Sequence, residues 1–270
     1  MNYRHAYHAG GFFDVFKHYV LMLLIQSLKQ KEAGFTYIDT HSGSGLYDLK
    51  FSSKTLEAEN GIHLLWNSKL KLTDSLQEYL DLIKKFQADN KLEHYPGSPA
   101  VVRSLLRAQD QMILNELHPE EAHNLKKLFG RDKQVHIHTQ DAYHWIKGII
   151  PPNPPRGLVF IDPPYEQKNE YEQLVKLLIT SLKHWRQGVY AIWYPITKEQ
   201  PLKKFYAELN KAGIEYLNTQ LSVYNEDSPI GLNGSGMLIV NPPWQLDLKL
   251  KENLPLLWKI LSPEGKGGVS

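Results

Sequence analysis

The sequence predicts an α/β fold in which helices cover both faces of a mostly parallel sheet of seven strands, with an antiparallel hairpin at one edge and a helical insertion. Short apolar segments alternate with segments of helical periodicity along most of the chain, which is typical of a parallel sheet. The last two apolar segments follow each other without an intervening helix, which indicates the hairpin. The chain of 270 residues is 42% hydrophobic, enough to build the core of one large domain.

The chain opens with a predicted helix, strand and loop. Asp14 can cap a helix whose apolar residues recur at helical spacing as far as Leu28, and Gly34 marks its end. The apolar segment 35–38 predicts the first strand, which leads directly into the glycine-containing loop 39–45.

Residues 51–95 interrupt this alternation. They show helical periodicity and no convincing strand, and the segment Tyr95-Pro96-Gly97-Ser98-Pro99 punctuates their end. We therefore expect a helical insertion subdomain over 51–95, inserted into a core that is formed by residues 1–50 and 96–270.

Beyond the insertion, strands and helices alternate again. The predicted strands are 112–117, 135–139, 157–161 and 189–194, followed by the hairpin strands 214–224 and 237–240. The predicted helices are 119–129, 142–149, 171–184 and 198–212. A loop rich in Gly, Asn and Ser, residues 225–236, joins the two hairpin strands.

Composition and charge disfavour several classes of protein. The chain has no cysteine, which rules out disulfides and thiolate metal sites and is compatible with a reducing cytoplasm. The longest apolar run, residues 19–25, falls short of the roughly 18 residues of a membrane span, and we expect no signal peptide. The net charge of +2 does not by itself predict a nucleic-acid-binding protein. Residues 183–211, with six Lys or Arg against two acids, either track phosphates or form an ordinary solvated helix face.

The loop after the first strand is a candidate cofactor site, because ligands of such sheets bind at the carboxyl ends of the strands. Gly43 and Gly45 let backbone amides approach a ligand, and Asp39 at the strand end can receive a charged or polar group. The loop lacks the glycine spacing of dinucleotide sites and the Gly-Lys-Ser/Thr of a P-loop, which disfavours a diphosphate cofactor. S-adenosylmethionine has no phosphate, and a compact turn with a nearby acid suits its carboxylate and sulfonium. The alternative is a turn without a chemical role.

Two further acids follow predicted strands. Glu116 lies 71 residues after Gly45, or 26 once the insertion is left out, close to the spacing of about 20 for an acid that binds ribose hydroxyls. Asp141 follows the third strand and can hydrogen-bond the adenine of the cofactor. Glu116 can equally be a capping acid for the helix that follows it.

The segment Asp162-Pro163-Pro164-Tyr165, directly after the fourth strand, is the candidate catalytic centre. Its two prolines fix φ and remove two donors, which leaves their carbonyls as acceptors in a rigid loop. An adenine amine is a poor nucleophile because its lone pair is delocalised into the ring. Hydrogen bonds accepted by Asp162 and the Pro163 carbonyl favour a pyramidal nitrogen, and the acid stabilises the charge that develops during methyl transfer and takes the proton. Tyr165 is expected to stack on the base.

A near-twin, Asn241-Pro242-Pro243-Trp244, also follows an apolar strand, and either segment can be a simple strand-terminating turn. Order along the chain separates the two. The first lies after the cofactor loop and two strand-end acids, whereas the second ends the predicted edge hairpin, away from the centre of the sheet. We therefore assign the chemistry to Asp162.

The N-terminal segment is rich in histidine. His5 and His8 have H-x-x-H spacing, but the zinc pattern H-E-x-x-H is missing, so we expect no metal site. Tyr3 and His5 instead indicate a polar, aromatic lid over a nucleotide site. Lys17 and His18 lie on the first helix, from which they either point into the cofactor cleft or face solvent.

Seven segments, read in order, carry a resemblance to a known family. They are Tyr3-Arg4-His5-Ala6-Tyr7-His8-Ala9-Gly10, Phe16-Lys17-His18, Asp39-Thr40-His41-Ser42-Gly43-Ser44-Gly45, Tyr95-Pro96-Gly97-Ser98-Pro99, Glu116-Leu117-His118-Pro119, Ile161-Asp162-Pro163-Pro164-Tyr165 and Trp193-Tyr194-Pro195. Together they resemble the bacterial 23S ribosomal RNA adenine-N6 methyltransferase family, the large-subunit methyltransferase J type that acts on adenine 2030. The match covers nearly the whole chain, which makes it far more specific than a D-P-P-Y motif alone.

The resemblance implies a Rossmann-like class I methyltransferase core in a cytoplasmic, metal-free and usually monomeric enzyme, with S-adenosyl-L-methionine as cofactor and 23S ribosomal RNA as partner. The cofactor contacts that it implies are His18, His41, Ser98, Glu116, Asp141, Ala142 and Asp162. It also implies Asp162 as the catalytic acceptor and substrate roles for Tyr3, His5 and Lys17, beside those of Pro163 and Tyr165 given above. The family commonly has Asp-Gly where this chain has Asp141-Ala142, and a backbone contact there survives alanine.

Two other functions compete with methylation of an RNA adenine at N6. A DNA adenine-N6 methyltransferase uses the same D-P-P-Y chemistry, but the sequence offers no separate DNA-recognition domain. A catalytically silent RNA-binding assembly factor keeps the fold, but Gly43, Gly45 and Asp162 are intact, which argues against it.

Overall fold

The computed structural model describes residues 5–52, 55–198, 202–225, 228 and 231–270, with the backbone alone for His5 and Ser52. Its strands are β1 (Thr36–Asp39), β2 (Leu46–Asp48), β3 (His94–Pro96), β4 (Gln111–Asn115), β5 (Val135–His138), β6 (Gly157–Ile161), β7 (Val189–Ile196), β8 (Tyr216–Ser222), β9 (Gly234–Val240) and β10 (Gly268–Val269). After a short 3-10 helix, His5–Tyr7, its helices are α1 (Phe12–Lys29), α2 (Leu49–Ser52), α3 (Ile62–Trp66), α4 (Asp74–Lys84), α5 (Ser98–Arg103), α6 (Pro119–Phe129), α7 (Ala142–Ile149), α8 (Glu170–His184), α9 (Leu202–Lys211) and α10 (Leu246–Leu261).

The main sheet contains eight strands in the order β10-β8-β9-β7-β6-β1-β4-β5, and β2 pairs with β3 in a separate small sheet. The strands β5, β4, β1, β6 and β7 pair in parallel, so their carboxyl ends lie along one edge. All five residues of β6 are buried, as expected for a strand that helices cover on both faces. The predicted α/β class with a mostly parallel sheet is confirmed.

The hairpin region differs from the prediction in detail. β8 and β9 pair antiparallel, but β9 lies between β7 and β8, and β10 adds an eighth strand beyond β8. β9 also begins at Gly234, inside the predicted loop. A Cβ at Gly236 would lie 2.1 Å from the ring of Tyr194, so glycine is what lets this ring pack against the strand. The glycines therefore mark a close approach within the sheet rather than a loop.

The C-terminal helix α10 is absent from the sequence-based prediction. Residues 246–250 alternate leucine with charged residues, a strand-like pattern, and Pro255 normally interrupts a helix. The helix forms nevertheless, because Leu250, Leu254 and Leu257 are buried in an apolar core that they share with α1. Burial of such an apolar face outweighs unfavourable local propensity.

The segment 51–95 contains helices, as predicted, and packs onto the main domain. Leu65, Leu76 and Ile83 belong to the same apolar cluster as α1, and the hydroxyls of Tyr19 and Ser75 lie 2.9 Å apart. The end of the segment overlaps β3, a strand that the sequence did not indicate. The boundaries of a separate subdomain stay a prediction.

Candidate active site

A cleft of about 440 Å³ opens where the carboxyl ends of the parallel strands meet, a size typical of small-molecule sites. Its walls come from the ends of β1, β4, β5, β6 and β7 and from α1. Ten predicted site residues line it: Lys17, His18, His41, Ser98, Glu116, Asp141, Ala142, Asp162, Pro163 and Tyr165. Tyr3 lies outside the described residues, and the side chain of His5 is not described.

The glycine loop after β1 has the tight backbone that the sequence predicts. Gly43 and Gly45 adopt φ angles of +59° and +82°, which disfavour any residue with a Cβ. The Gly43 N–H donates to Oε2 of Glu116 at 2.8 Å, and the Ser44 N–H donates to the hydroxyl of Tyr47 at 3.0 Å. A Cβ at Gly43 would lie 2.0 Å from that hydroxyl oxygen. Glycine is therefore required for the loop to close against the cleft wall.

Asp39, at the end of β1, supports the loop from beneath and does not face the cleft. Its carboxylate is fully buried and accepts hydrogen bonds from the hydroxyls of Tyr37 and Ser98, both at 2.7 Å, and from the His41 N–H at 3.2 Å. Burial raises the pKa of Asp39 to about 7, although the two hydroxyls act in the opposite direction. The prediction that Asp39 itself receives a ligand group is wrong. Ser98 and His41, which it orients, line the cleft instead.

Glu116 follows β4 and is buried in the cleft wall. Its two carboxylate oxygens accept hydrogen bonds from the backbone N–H groups of His118, at 2.7 Å, and Gly43, at 2.8 Å. Burial raises the pKa of Glu116, and these two hydrogen bonds partly offset the effect. A carboxylate oxygen has room for more than one donor, so Glu116 can shape the loop and still accept from the hydroxyls of a ribose.

Asp141 and Ala142 begin α7. Asp141 is the N-cap: its Oδ1 accepts from the His144 N–H at 3.1 Å and lies 2.9 Å from Nδ1 of the same residue. Ala142, the first residue of the helix, is buried and does not have a positive φ. Alanine therefore replaces the glycine common in the resembling family without backbone strain.

Two histidines of the cleft are held by hydroxyl groups. The Nδ1 atom of His18 lies 3.0 Å from the hydroxyl of Tyr95. The imidazole also stacks on the ring of Tyr95, with 5.6 Å between ring centroids. The Nδ1 atom of His41 lies 2.8 Å from the hydroxyl of Thr40. Burial lowers the pKa of His41 to about 4, so its ring is neutral at neutral pH. A neutral ring does not repel a cationic ligand.

The ammonium group of Lys17 joins two carboxylates. Its Nζ lies 2.7 Å from Oδ1 of Asp14 and 2.7 Å from Oδ2 of Asp162, and only 4% of the side chain is exposed. Burial alone lowers the pKa of Lys17, but the two carboxylates outweigh it and raise that pKa above its ordinary value. Two carboxylates and one ammonium leave one net negative charge, which complements a sulfonium and an amine that becomes positive.

The loop that carries Asp162 is fixed by aromatic contacts. The hydroxyl of Tyr165 donates to the carbonyl of Trp193 at 2.5 Å, and the backbone of Tyr165 has a φ of 54°. Its ring packs against Tyr171 and Trp193, with centroids 5.0 Å and 5.8 Å away. Pro163 is buried beside them. These contacts hold the ring at the cleft wall, where a base can stack on it.

The near-twin segment lies at the opposite edge of the sheet. β9 runs antiparallel to β7, so the end of β9 lies beside the start of β7. The side-chain amide of Asn241 donates to the carbonyls of Arg186 and Gly188, both at 2.8 Å, and Trp244 is 84% exposed. None of the four residues of this segment lines the cleft.

The cleft contains side chains that the sequence interpretation missed. The hydroxyl of Tyr143 donates to Oε1 of Glu170 at 2.7 Å, and the Gln167 N–H donates to Oε2 of the same carboxylate at 3.2 Å. Glu170 is buried and thus ties α7 to the loop after Asp162. No local pattern points to Glu170, because its partners come from different elements. Trp193 was the easiest to find, since it belongs to the segment Trp193-Tyr194-Pro195 of the resemblance.

Within the described ranges, no group of three or more His, Cys, Asp or Glu side chains is arranged to hold a metal ion. In the same part of the chain, no helix combines the length and the apolar character needed to cross a membrane.

The fold and the cleft define a class of protein, the Rossmann-like methyltransferases that use S-adenosylmethionine. A ligand cleft at the carboxyl ends of parallel strands, a glycine turn without phosphate-binding groups and a D-P-P-Y loop after the fourth parallel strand are its features. A family model described as "Ribosomal RNA large subunit methyltransferase D, RlmJ" matches residues 32–270, and the chain belongs to this family.

Individual relatives agree with this membership. Ribosomal RNA large subunit methyltransferase J of Haemophilus influenzae is 42% identical over 271 residues, which cover 99% of this chain and 96% of the relative. The protein of the same name from Escherichia coli is 38% identical over 270 residues, again 99% and 96% of the two chains. The crystal structure of protein LPL1258 from Legionella pneumophila has a TM-score of 0.88 and 34% identity, covering 97% and 96% of the chains. The predicted family and enzyme class, and S-adenosylmethionine as methyl donor, are confirmed.

Proposed function

We propose that this protein transfers a methyl group from S-adenosylmethionine to N6 of an unstacked adenine in 23S ribosomal RNA, the adenine 2030 that the resemblance implies. Two relatives named Ribosomal RNA large subunit methyltransferase J support the RNA substrate. The observation that carries the proposal is the position of Asp162, at the end of β6 in the cleft and ion-paired with Lys17 at 2.7 Å.

Asp162 is placed to accept hydrogen bonds from an amine. Among the described residues, Lys17 is the partner of its Oδ2 atom, which leaves Oδ1 as an acceptor for an N6–H group. Accepting that hydrogen bond, together with the Pro163 carbonyl, opposes delocalisation of the nitrogen lone pair into the adenine ring. Positive charge then develops on N6 beside the carboxylate, which stabilises the charge and takes the proton. The ring of Tyr165 supports the base by stacking.

Lys17 orients the carboxylate of Asp162, because its Nζ lies 2.7 Å from Oδ2 of that residue. Asp14 in turn holds Lys17 from the other side at 2.7 Å. We therefore assign Lys17 a role in positioning Asp162, beside the substrate role that the resemblance implies.

The cleft residues fit S-adenosylmethionine, which supplies the electrophilic methyl group when bound. Glu116 offers carboxylate oxygens to ribose hydroxyls, and Asp141 lies at the start of α7, where it can reach an adenine. Ser98 donates its proton to Asp39 at 2.7 Å, so the lone pairs of its hydroxyl are available to the ammonium of the ligand. His41 stays neutral, which favours a cationic ligand. The roles of these residues, of His18 and of Ala142 are proposals, as are the monomeric state and the cytoplasmic location.

The proposal is tested by transfer of labelled methyl groups to protein-free 23S ribosomal RNA, with the product nucleoside identified by mass spectrometry. We expect N6-methyladenosine with the wild-type protein and far less of it with Asp162→Ala, whose fold is checked by circular dichroism. Equal activity of the variant contradicts the role of Asp162. Preferred methylation of a DNA oligonucleotide in competition supports the DNA alternative, and absence of S-adenosylmethionine binding supports the assembly factor.

A further inference from the structure

Three exposed apolar side chains come from two neighbouring segments beside the cleft. Tyr7 is 37% exposed, Phe51 51% and Leu56 57%. They come from the 3-10 helix His5–Tyr7, from α2 and from residues 55–56, and α2 packs against the 3-10 helix. We refer to Tyr7, Phe51 and Leu56 as the rim platform. Apolar side chains grouped in this way on a surface mark an interaction site more often than a single exposed one.

Hydrogen bonds fix the two segments of the rim platform to each other. The hydroxyl of Thr55 donates to the carbonyl of Tyr7 at 2.6 Å, and the Ile62 N–H donates to the carbonyl of Gly10 at 2.8 Å. Gly10 has a φ of +82°, and a Cβ there would lie 2.9 Å from Ile62, so the close approach requires glycine. The platform is therefore a built surface that joins the N-terminal segment to the insertion.

The rim platform borders the cleft directly. His8 and Glu57 both line the cleft, and Nδ1 of His8 lies 2.9 Å from Oε1 of Glu57. Tyr7 immediately precedes His8, and Leu56 immediately precedes Glu57. A polymer that places one base in the cleft can therefore lead a neighbouring nucleotide past this edge.

The backbone of Leu56 indicates that its exposure is not incidental. Its φ of 59° lies in the left-handed region, which is unfavourable for residues with a Cβ. Strained backbone persists where the surrounding structure holds it, and it clusters at binding sites. An exposed leucine in that conformation contributes little to the core, so its role lies at the surface.

We infer that the rim platform stacks a nucleotide adjacent to the target adenine and so holds the RNA at the mouth of the cleft. This inference rests on the proposed function, because it presumes that an RNA base is drawn into the cleft. Bases splayed out of a helix stack on exposed aromatic side chains, and the stacking tolerates different sequences. Phe51 provides the most exposed ring of the platform, while Tyr7 and Leu56 extend its apolar area.

The first experiment compares RNA binding and methylation by wild type, Phe51→Ala, Phe51→Tyr and Phe51→Leu on a 23S ribosomal RNA hairpin that contains the target adenine. We expect Phe51→Ala and Phe51→Leu to bind about tenfold more weakly, equivalent to ~1.4 kcal/mol, and Phe51→Tyr to bind like wild type. Phe51→Leu keeps the apolar bulk without the ring, so full binding by this variant overturns stacking. Because no charge is removed, the salt dependence of binding is expected to stay unchanged.

The second experiment removes, from the RNA, a base next to the target adenine. Hairpins that lack the base on one side of the target adenine, or on the other, are tested with wild type and with Phe51→Ala. Removing the base that stacks on the platform is expected to weaken binding by the wild type. Phe51→Ala should then weaken binding to that hairpin no further, so that the two losses of binding free energy are non-additive. Fully additive losses at both positions overturn the inference.

Controls separate this inference from the proposed function. Trp244→Ala removes an even more exposed ring at the far edge of the sheet and should leave binding unchanged. Calorimetry with S-adenosylhomocysteine checks that each variant keeps an intact cleft, and Leu56→Ala, with a smaller expected loss, provides a second test if Phe51→Ala does not fold. Wild type that binds RNA through Phe51 without methylating it overturns the proposed function alone. Equal RNA binding and methylation by the wild type and by Phe51→Ala overturn the platform alone.

Discussion

The two Pro-Pro turns of this protein have nearly the same sequence and opposite surroundings. Asp162-Pro163-Pro164-Tyr165 lies in the cleft, where Lys17 contacts the acid and the tyrosine ring is packed. Asn241-Pro242-Pro243-Trp244 lies at the other edge of the sheet, with Trp244 84% exposed. The difference arises from strand direction, because β6 is parallel to its neighbours and β9 is antiparallel to β7. The edge of the sheet at which a strand ends thus determines whether the motif that follows the strand lies in the cleft.

The largest expected effect separates the two turns by activity. Asp162→Ala removes the acceptor for the amine and the charge that stabilises it, and we expect kcat to fall about 1000-fold. Asn241→Ala, the matched change in the far turn, is expected to keep kcat within about twofold, since it touches no cleft residue. Single-turnover methyl transfer measures both. A large loss of kcat in Asn241→Ala would falsify the assignment of chemistry by strand direction.

The next prediction concerns Lys17, which contacts the cleft turn through Asp162. Lys17→Met leaves the fully buried Asp14 without its cation, so we expect the free energy of unfolding to fall by about 3–5 kcal/mol. The exposed pair of Lys204 and Glu172, also 2.7 Å apart, is the control, and Lys204→Met should lower the free energy of unfolding far less than Lys17→Met does. Urea denaturation measures both losses. Equal losses in the two variants contradict a special role for the buried pair.

A third prediction uses the support beneath the cleft turn. The pKa of Asp39 is about 7 in the folded protein and about 4 in the unfolded chain. Between these values the folded state binds more protons than the unfolded state, so the stability of wild type falls as the pH rises from 4 to 7. Relative to Asp39→Asn, which does not titrate, the fall is at most about 4 kcal/mol. Urea denaturation of both proteins at several pH values tests this, and parallel pH profiles contradict it.

The smallest predicted effects concern the two aromatic residues that end the turns. Tyr165→Phe loses the hydrogen bond to the Trp193 carbonyl, and we expect it to lower the free energy of unfolding by about 1 kcal/mol. Trp244→Ala removes an exposed side chain and should change that free energy by no more than ~0.5 kcal/mol. Thermal unfolding followed by circular dichroism compares the two. A greater loss from Trp244→Ala means that the far turn also anchors the fold.

Local patterns predicted most of the parallel sheet. The strands β1, β4, β5, β6 and β7 are short apolar segments that alternate with helical ones. Because a glycine loop and several acids follow these strands along the chain, the sequence also predicted a cleft at their carboxyl ends. The same reasoning failed where packing overrides local preference. Gly236 lies in a strand because a side chain there would collide with the Tyr194 ring. The helix α10 forms despite Pro255 because its leucines pack in the same apolar core as α1.

Ten of the predicted site residues line the cleft, but the sequence did not predict how they contact one another. The sequence indicated Asp39 as a ligand residue, whereas its position after a buried strand makes it a support. The contact of Lys17 with Asp162 joins residues 145 apart in sequence, and no periodicity or spacing encodes a contact of that range. Tyr3, predicted to bind substrate, lies outside the described residues.

The packing of α10 against α1 couples the cleft to a helix that supplies none of the cleft's lining residues. Lys17 lies on α1, which is buried along almost its whole length in an apolar core that it shares with α10 and β9. Because close-packed interiors transmit strain, a shift of α10 is expected to move α1 and with it the ammonium group that contacts Asp162. The catalytic carboxylate thus depends on a helix that lies outside the cleft.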